Sequence, residues 1–297
     1  MGEHDTPAEG ERVTASTDGP RVYILANPDK PEARATLETI TPFVKERAEL
    51  VGTACALDGQ PAIKAGADCL VVIGGDGTLI GVARSLAGHP LPILGINVGK
   101  LGFLAEFSVE EFRECFDQAV GDAKLISQRM ALDVTMRHDG EDPTGCIALN
   151  DCVIQAGPPF RPVTLGVFVD GIPLTEVTGD GLIVCTPTGS TAHNLSAGGP
   201  ILQQGVAAIV LTPLAPHSLT HRPLVIKCDS TIEVRASETN EGTTAIVDGQ
   251  CAFPMAPGDT VIIKRHAADV QVIRNPLYAQ WHKLITKLHW GEGPTYR

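Results

Sequence analysis

Two loop sequences carry residue types and spacings that could do chemistry. Gly74-Gly-Asp-Gly-Thr78 surrounds one carboxylate with glycines, directly after the apolar run Cys69 to Ile73. Thr186-Pro-Thr-Gly-Ser-Thr-Ala-His193 places four hydroxyls and an imidazole in eight residues, after the apolar run Gly181 to Cys185. Glycine lets backbone approach a ligand closely, and successive amides or short hydroxyls suit a ligand rich in oxygens. A helix opening straight after Gly74-Gly75 would add its N-terminus to a phosphate site. Asp76 puts a negative charge where a plain phosphate cradle has none. It is read as accepting a proton from a hydroxyl, or drawing a divalent ion, while the amides hold phosphates. The plainer alternative is a tight strand-to-helix turn with Asp76 as N-cap. The motif fits neither the dinucleotide fingerprint nor the Walker loop.

A third polar feature is Asn150-Asp151, inside the otherwise apolar Ala148 to Ile154. Unsatisfied, each buried polar group there would cost about 1–3 kcal/mol. The pair suits a ribose diol or an adenine edge, and a strand-end turn is the alternative. His217 and His221 lack the glutamate of a zinc protease motif and are read as satisfied loop histidines. Asn194-Leu-Ser196 matches a glycosylation sequon and is read as idle.

The elements that must position these loops follow from periodicity. Apolar runs at 21–26, 51–57, 69–73 and 91–96 alternate with helical stretches at 31–48, 77–86 and 109–120. That alternation predicts a parallel sheet covered by helices, with ligands at the carboxyl ends of the strands. From 124 onward strands dominate, at 126–137, 146–156, 163–169, 181–185, 207–212, 230–235, 243–247 and 259–264. Asp170-Gly171 and Asp248-Gly249 are hairpin signals. Leu277, Trp281, Leu284, Ile285 and Leu288 then fall at helical spacing. The expected fold is therefore an α/β, Rossmann-like domain with a parallel sheet (20–123) and a β-rich domain (124–274). Residues 1–19 form a disordered leader, and a helix within 275–297 packs back on the first domain.

The chain has 297 residues and a net charge of −12, which argues against a nucleic-acid surface. No apolar run reaches membrane-spanning length, and the N-terminus lacks a secretory pattern. Eight cysteines include no Cys-x-x-Cys pair and several lie in apolar strands, so reduced thiols and a cytoplasmic location are expected.

Taken together the loops resemble the NAD kinases, which phosphorylate the adenosine-ribose 2′-hydroxyl of NAD. The resemblance runs through most of 21–275. It includes Gly74 to Thr78, Gly95-Ile-Asn-Val-Gly-Lys-Leu-Gly-Phe-Leu104, Leu149-Asn-Asp151, Asp180 to Pro200, Thr212 to Leu219, Arg222-Pro223 and Asp248-Gly-Gln250. It implies Asp76 as general base, with Gly77 beside it on the dinucleotide. It implies dinucleotide contacts from Asn150, Asp151, Asp180, Thr191, Ala192, His193, Ser196 and Gln250, and a cation near the phosphates at Arg161. Mg2+ carried with ATP is the expected divalent metal, with no dedicated metal ligands. ATP or polyphosphate is the expected donor, and a homodimer or homotetramer the expected assembly.

Three positions depart from the family pattern. His193 stands where a tyrosine is usual, Asp151 replaces a longer glutamate, and Thr178 occupies a place where some relatives have a base. Two rival readings share parts of the pattern. Lipid kinases of the diacylglycerol or sphingosine type share the Gly-Gly-Asp-Gly-Thr motif but not Asp180 to Pro200. A catalytically silent dinucleotide-binding regulator would share nearly all of it.

Overall fold

The computed structural model describes residues 19–99, 102–279 and 281–288. All but the last residue of the expected leader, Lys100 and Leu101 of the Gly95 to Leu104 motif, and the end of the closing helix lie outside them. Its first half runs β1 (Arg21–Ala26), α1 (Pro31–Lys45), β2 (Glu49–Cys55), α2 (Gln60–Lys64), β3 (Cys69–Gly74), α3 (Asp76–Ser85), β4 (Ile93–Asn97) and α4 (Val109–Gly121). Then follow β5 (Ile126–Arg129), β6 (Leu132–Arg137), β7 (Thr144–Ala148), β8 (Asp151–Gln155), β9 (Val163–Val169), β10 (Ile172–Gly179) and β11 (Gly181–Cys185). The chain closes with α5 (His193–Ser196), β12 (Ala208–Leu214), β13 (Leu224–Lys227), β14 (Ile232–Glu238), β15 (Thr244–Val247), β16 (Cys251–Pro254), β17 (Thr260–Arg265), β18 (Val270–Ile273) and α6 (His282–Leu288).

The first sheet has the order β2-β1-β3-β4-β18-β5 and is parallel except for β5. Its strands β1, β3 and β4 are largely apolar and buried because both faces are covered. One face, with Ile24, Val71, Ile73 and Ile96, packs on Ile40, Val44, Phe112 and Phe116 of α1 and α4. The other, with Leu25, Leu70, Val72 and Ile93, packs on Leu79, Val82 and Ala83 of α3. Strands at 126–129 and 270–273, on either side of the β-rich segment, hydrogen-bond into this sheet.

Two antiparallel sheets, β10-β9-β14-β17-β6-β7 and β13-β12-β11-β8-β15-β16, form a sandwich. Val134, Leu165, Val234 and Val261 of the first meet Ile154, Leu182, Val184 and Val247 of the second in one core. The second sheet's outer face carries Val153, Ile183, Cys185 and Val210, covered by Ala197 and Leu202. Strand β11 is thus apolar at every position because the hydroxyl-rich loop lies over its outer side.

The structure divides two runs that the sequence suggested were single strands. Residues 126–137 split into β5 and β6, which belong to different sheets. The run at 146–156 breaks at Leu149-Asn150, where the chain leaves β7 in one sheet of the sandwich and enters β8 in the other. Both Asp-Gly hairpins form, with positive φ at Asp170, Gly171, Asp248 and Gly249 as a type I′ turn requires. From the closing helix, the Lys287 ammonium lies 4.6 Å from the Phe103 ring centroid. No helix among the described residues is long and apolar enough to cross a membrane.

Candidate active site

Asp76 is the first residue of α3, and Gly75, not Asp76, occupies the cap position. Thr78 supports this turn, accepting from the Asn27 amide at 2.7 Å and the Gly75 N–H at 3.3 Å. The Asp76 carboxylate leaves its own helix and reaches the loop after β4. Its Oδ2 accepts from the Phe103 amide at 2.6 Å, and Oδ1 from the Leu104 and Ala105 amides, each at 3.0 Å. A carboxylate has about four lone-pair sites, so one direction at Oδ2 stays available for a further donor. Gly102 makes this approach possible, because a Cβ there would collide with the carboxylate.

A second carboxylate organises the opposite wall. Asp248, in the β15–β16 turn, accepts from the amides of Leu149, Asn150 and Asp151 at 2.8, 2.7 and 3.0 Å. Its side chain is fully buried and pairs with Arg84 of α3 at 3.1 Å. The same guanidinium donates to Gln250 Oε1 and to the Ile147 carbonyl, both at 3.0 Å. Gln250 Nε2 in turn donates to the Gly77 carbonyl at 2.8 Å. One helix therefore carries Asp76 at its start and, near its end, the cation that anchors the Asn150-Asp151 break. The expected contact residues Gly77, Asn150, Asp151 and Gln250 meet here around a side chain not counted among them.

With their amides held by Asp248, the side chains of Asn150 and Asp151 make no hydrogen bond to any described residue. Asp151 is 5% exposed. Burial, and secondarily the nearby Asp248 charge, push its carboxyl up to about 7. A buried carboxyl without partners is poised to take donors from a ligand.

The hydroxyl loop is a correction to its reading as a bank of ligand donors. Thr186 donates to the Leu149 carbonyl at 2.6 Å and accepts from the Gly189 amide, Ser190 donates to Pro187, and Thr188 to Gln204. Thr186 and Ser190 are completely buried. These hydroxyls shape the loop, and they pin it to the β7–β8 break. The sequon residue Asn194 is also completely buried, donating to Ser190 and Pro200 and accepting from Thr212 at 2.6 Å. Its amide is structural, which agrees with the sequon being idle.

Thr188 and Thr191 share a cavity of about 540 Å3 with Phe103 and Leu104, so the hydroxyl loop faces the loop whose amides hold Asp76. Arg129 and Arg274 stand in the same wall. Arg129 is 5% exposed, pairs with Glu106 at 3.7 Å, and has no partner for its Nε. Burial pulls its guanidinium below the usual range. Two arginines thus line one cavity in a chain of net charge −12, one of them paired with Glu106. Ala192 is half-buried beside Thr191, whereas Arg161, Asp180, His193 and Ser196 are exposed. Among the described residues, no side-chain hydrogen bond or ion pair joins those four to the Asp76 cluster. Among those residues no group of three or more His, Cys, Asp or Glu side chains converges as a metal site would.

Arg84, Gly102 and Asp248 were missed by sequence reasoning. Asp248-Gly249 signals a turn and hides the carboxylate's second task. Arg84 sits at the end of an apolar helix, where a charge has no packing role.

The chain matches the ATP-NAD kinase N-terminal domain over residues 30–123 and the ATP-NAD kinase C-terminal domain over 149–275. The NAD kinase of Rhodopirellula baltica is 39% identical over 273 residues, covering 92% of this chain and 87% of that protein. That of Geotalea daltonii is 40% identical over 226 residues, covering 76% and 80%. In fold, yeast NADH kinase complexed with NADH superposes with a TM-score of 0.78 at 25% identity, over 94% of this chain and 90% of that one. An NAD kinase from Archaeoglobus fulgidus in complex with ATP has a TM-score of 0.72 at 24% identity, over 91% and 98%. Both halves match, including the stretch that lipid kinases lack, and the lipid kinase reading falls away. The chain belongs to the NAD kinase family, and with it to the phosphotransferases.

Proposed function

We propose that this protein transfers the terminal phosphoryl group of Mg2+-bound ATP to the adenosine-ribose 2′-hydroxyl of NAD, giving NADP. The observation that carries the reading is the Asp76 carboxylate, fixed by three amides yet open to one further donor at Oδ2. A ribose hydroxyl is a poor nucleophile, and a positioned carboxylate that takes its proton contributes roughly 10²–10⁴-fold. Phosphoryl transfer otherwise needs charge neutralisation and in-line placement more than covalent help. Mg2+ enters with the donor's phosphates. Asn150 and Asp151 supply unengaged polar groups for the ribose and adenine, held at a fixed distance from Gly77 through Asp248, Arg84 and Gln250. In this reading Thr191, Ala192, His193 and Ser196 flank the dinucleotide, with Asp180 and Arg161 at its outer end. Site residues borrowed between copies of a homodimer or homotetramer, in the cytoplasm, complete it.

The test is purified protein with NAD, ATP and Mg2+, NADP being read by a coupled dehydrogenase. Asp76→Asn is expected to abolish turnover and leave NAD binding largely intact. Wild-type turnover in that variant would remove the base, and binding without turnover in the parent protein would favour a silent regulator. NADH, which the yeast relative binds, and inorganic polyphosphate belong in the same assay as alternative acceptor and donor.

A further inference from the structure

The two sheets of the sandwich each end in an exposed edge strand, β7 in one and β16 in the other. A cysteine from each edge meets across the gap. Cys146 of β7 and Cys251 of β16 have their sulfurs 2.8 Å apart, although 105 residues separate them in sequence. Both are half-buried against the sandwich core. The six other thiols are free as well, but among the described residues no other pair of sulfurs is in contact.

The position of this pair bears on the cleft. Cys251 directly follows Gln250, and Cys146 directly precedes Ile147. Those two neighbours are both partners of Arg84. Beside Cys146 an open groove of about 420 Å3, lined by Arg84, Lys264, Thr135, Gly145 and Asp133, leads in from solvent. Asp133 is held by His266 and Arg84 by Asp248, so Lys264 is the cation the groove offers to a small anionic disulfide. A disulfide needs its sulfurs at about 2.05 Å, less than an ångström of travel from where they stand.

We propose that Cys146 and Cys251 form a modification site: a dithiol that closes to a disulfide by exchange with a small anionic disulfide such as oxidised glutathione, clamping the Arg84 contacts that join the halves of the cleft. The Cys251 thiolate attacks one sulfur of the small disulfide and expels one small thiolate. Cys146 then gives up its proton, attacks the Cys251 sulfur of the mixed disulfide, and expels the second. The two protein thiols lose two electrons, the small disulfide gains them, and both protons end on the small thiols. Cys146 is the second to react because burial and its hydrogen bond to Cys251 push its thiol up to about 12. Transient disulfides of this kind serve redox sensing in reducing compartments.

The full chain is incubated with oxidised glutathione, alkylated, digested and mapped by mass, with a melting curve on the same sample. The expected result is a peptide crosslinked at 146–251 with loss of two hydrogens and an upward melting shift of about 5 °C or more. Dithiothreitol should reverse both. Cys251→Ser and Cys146→Ser should remove the crosslink and the shift while melting like the reduced parent. A persistent glutathione adduct, a crosslink elsewhere, no reaction, or a crosslink without the melting shift would each overturn the proposal. NADP formation by the crosslinked protein should match the reduced protein to within about twofold, because the sulfurs hardly move. Its loss on specific crosslinking would overturn the clamp. Mapping and melting need no turnover, so their outcome is independent of the kinase reading.

Discussion

The guanidinium of Arg84 and the carboxylate of Asp248 lie 3.1 Å apart, joining the helix that begins at Asp76 to the turn that holds Asn150 and Asp151. The Asp248 side chain is fully buried, and that of Arg84 is partly exposed. A pair so placed aligns the two walls of the cleft, and its contribution lies in geometry more than in net stability.

Replacing Arg84 with Met keeps much of the side-chain volume and leaves Asp248 with amide donors only. Removing one partner of a buried pair is expected to cost about 3 kcal/mol. Urea unfolding measures this. The KM for NAD should rise more than kcat falls, because the ribose-facing wall loosens while Asp76 keeps its amides. An unchanged KM in a folded variant would show that the walls align without Arg84.

Gly102→Ala tests the opposite side. Its Cβ would enter the space of the Asp76 carboxylate, and relief requires the carboxylate to swing away from the Phe103 to Ala105 amides. Turnover is expected to fall about 100-fold or more, as for loss of a positioned base. Melting should also fall, since the Leu104 and Ala105 amides lose their acceptor at buried positions, so turnover is compared per folded protein. A variant with parental kcat would mean that the amide-bound position is not the working one.

These two residues mark where the sequence stopped being readable. The alternating architecture and both Asp-Gly hairpins were legible because periodicity and positive-φ turn residues are local signals. The clustering of Asn150, Asp151, Gln250 and Gly77 came only through family resemblance. Nothing local says that Asp248 reaches back to three amides a hundred residues earlier in the chain. The hydroxyl loop misled for a related reason. Thr186 and Ser190 have the chemistry of ligand donors, yet an irregular segment covering a sheet must satisfy its own backbone, and they are spent there.

Within that loop Asn194 and Ser196 should behave differently. Asn194→Ala removes three hydrogen bonds from a completely buried site and leaves the Ser190 and Pro200 carbonyls unpaired. It is expected to cost about 2–4 kcal/mol in denaturant unfolding. Ser196 is exposed, so Ser196→Ala should leave unfolding unchanged and act only on the KM for NAD. Equal stability losses in the two variants would contradict this division between scaffold and contact.

Asp151 is expected to make both stability and NAD affinity depend on pH. An unfolded chain releases this proton near the ordinary value of 3.8, whereas the folded chain keeps it to about 7. Between those limits the folded state binds more protons, so stability falls as pH rises, and the full penalty is present above about 7. Asp151→Asn is therefore expected to raise the melting temperature at about pH 8 and to leave it nearly unchanged near pH 4. The ligand works in the other direction. Ribose hydroxyls donating to the carboxylate favour its ionised form, so NAD should bind more tightly at about pH 8 than at about pH 6. Binding near neutrality should then release a proton. Calorimetry in two buffers of different ionisation enthalpy reads that release directly, and Asp151→Asn should abolish it. Proton uptake instead would mean that the protonated carboxyl is the donor, facing an adenine nitrogen and not the ribose.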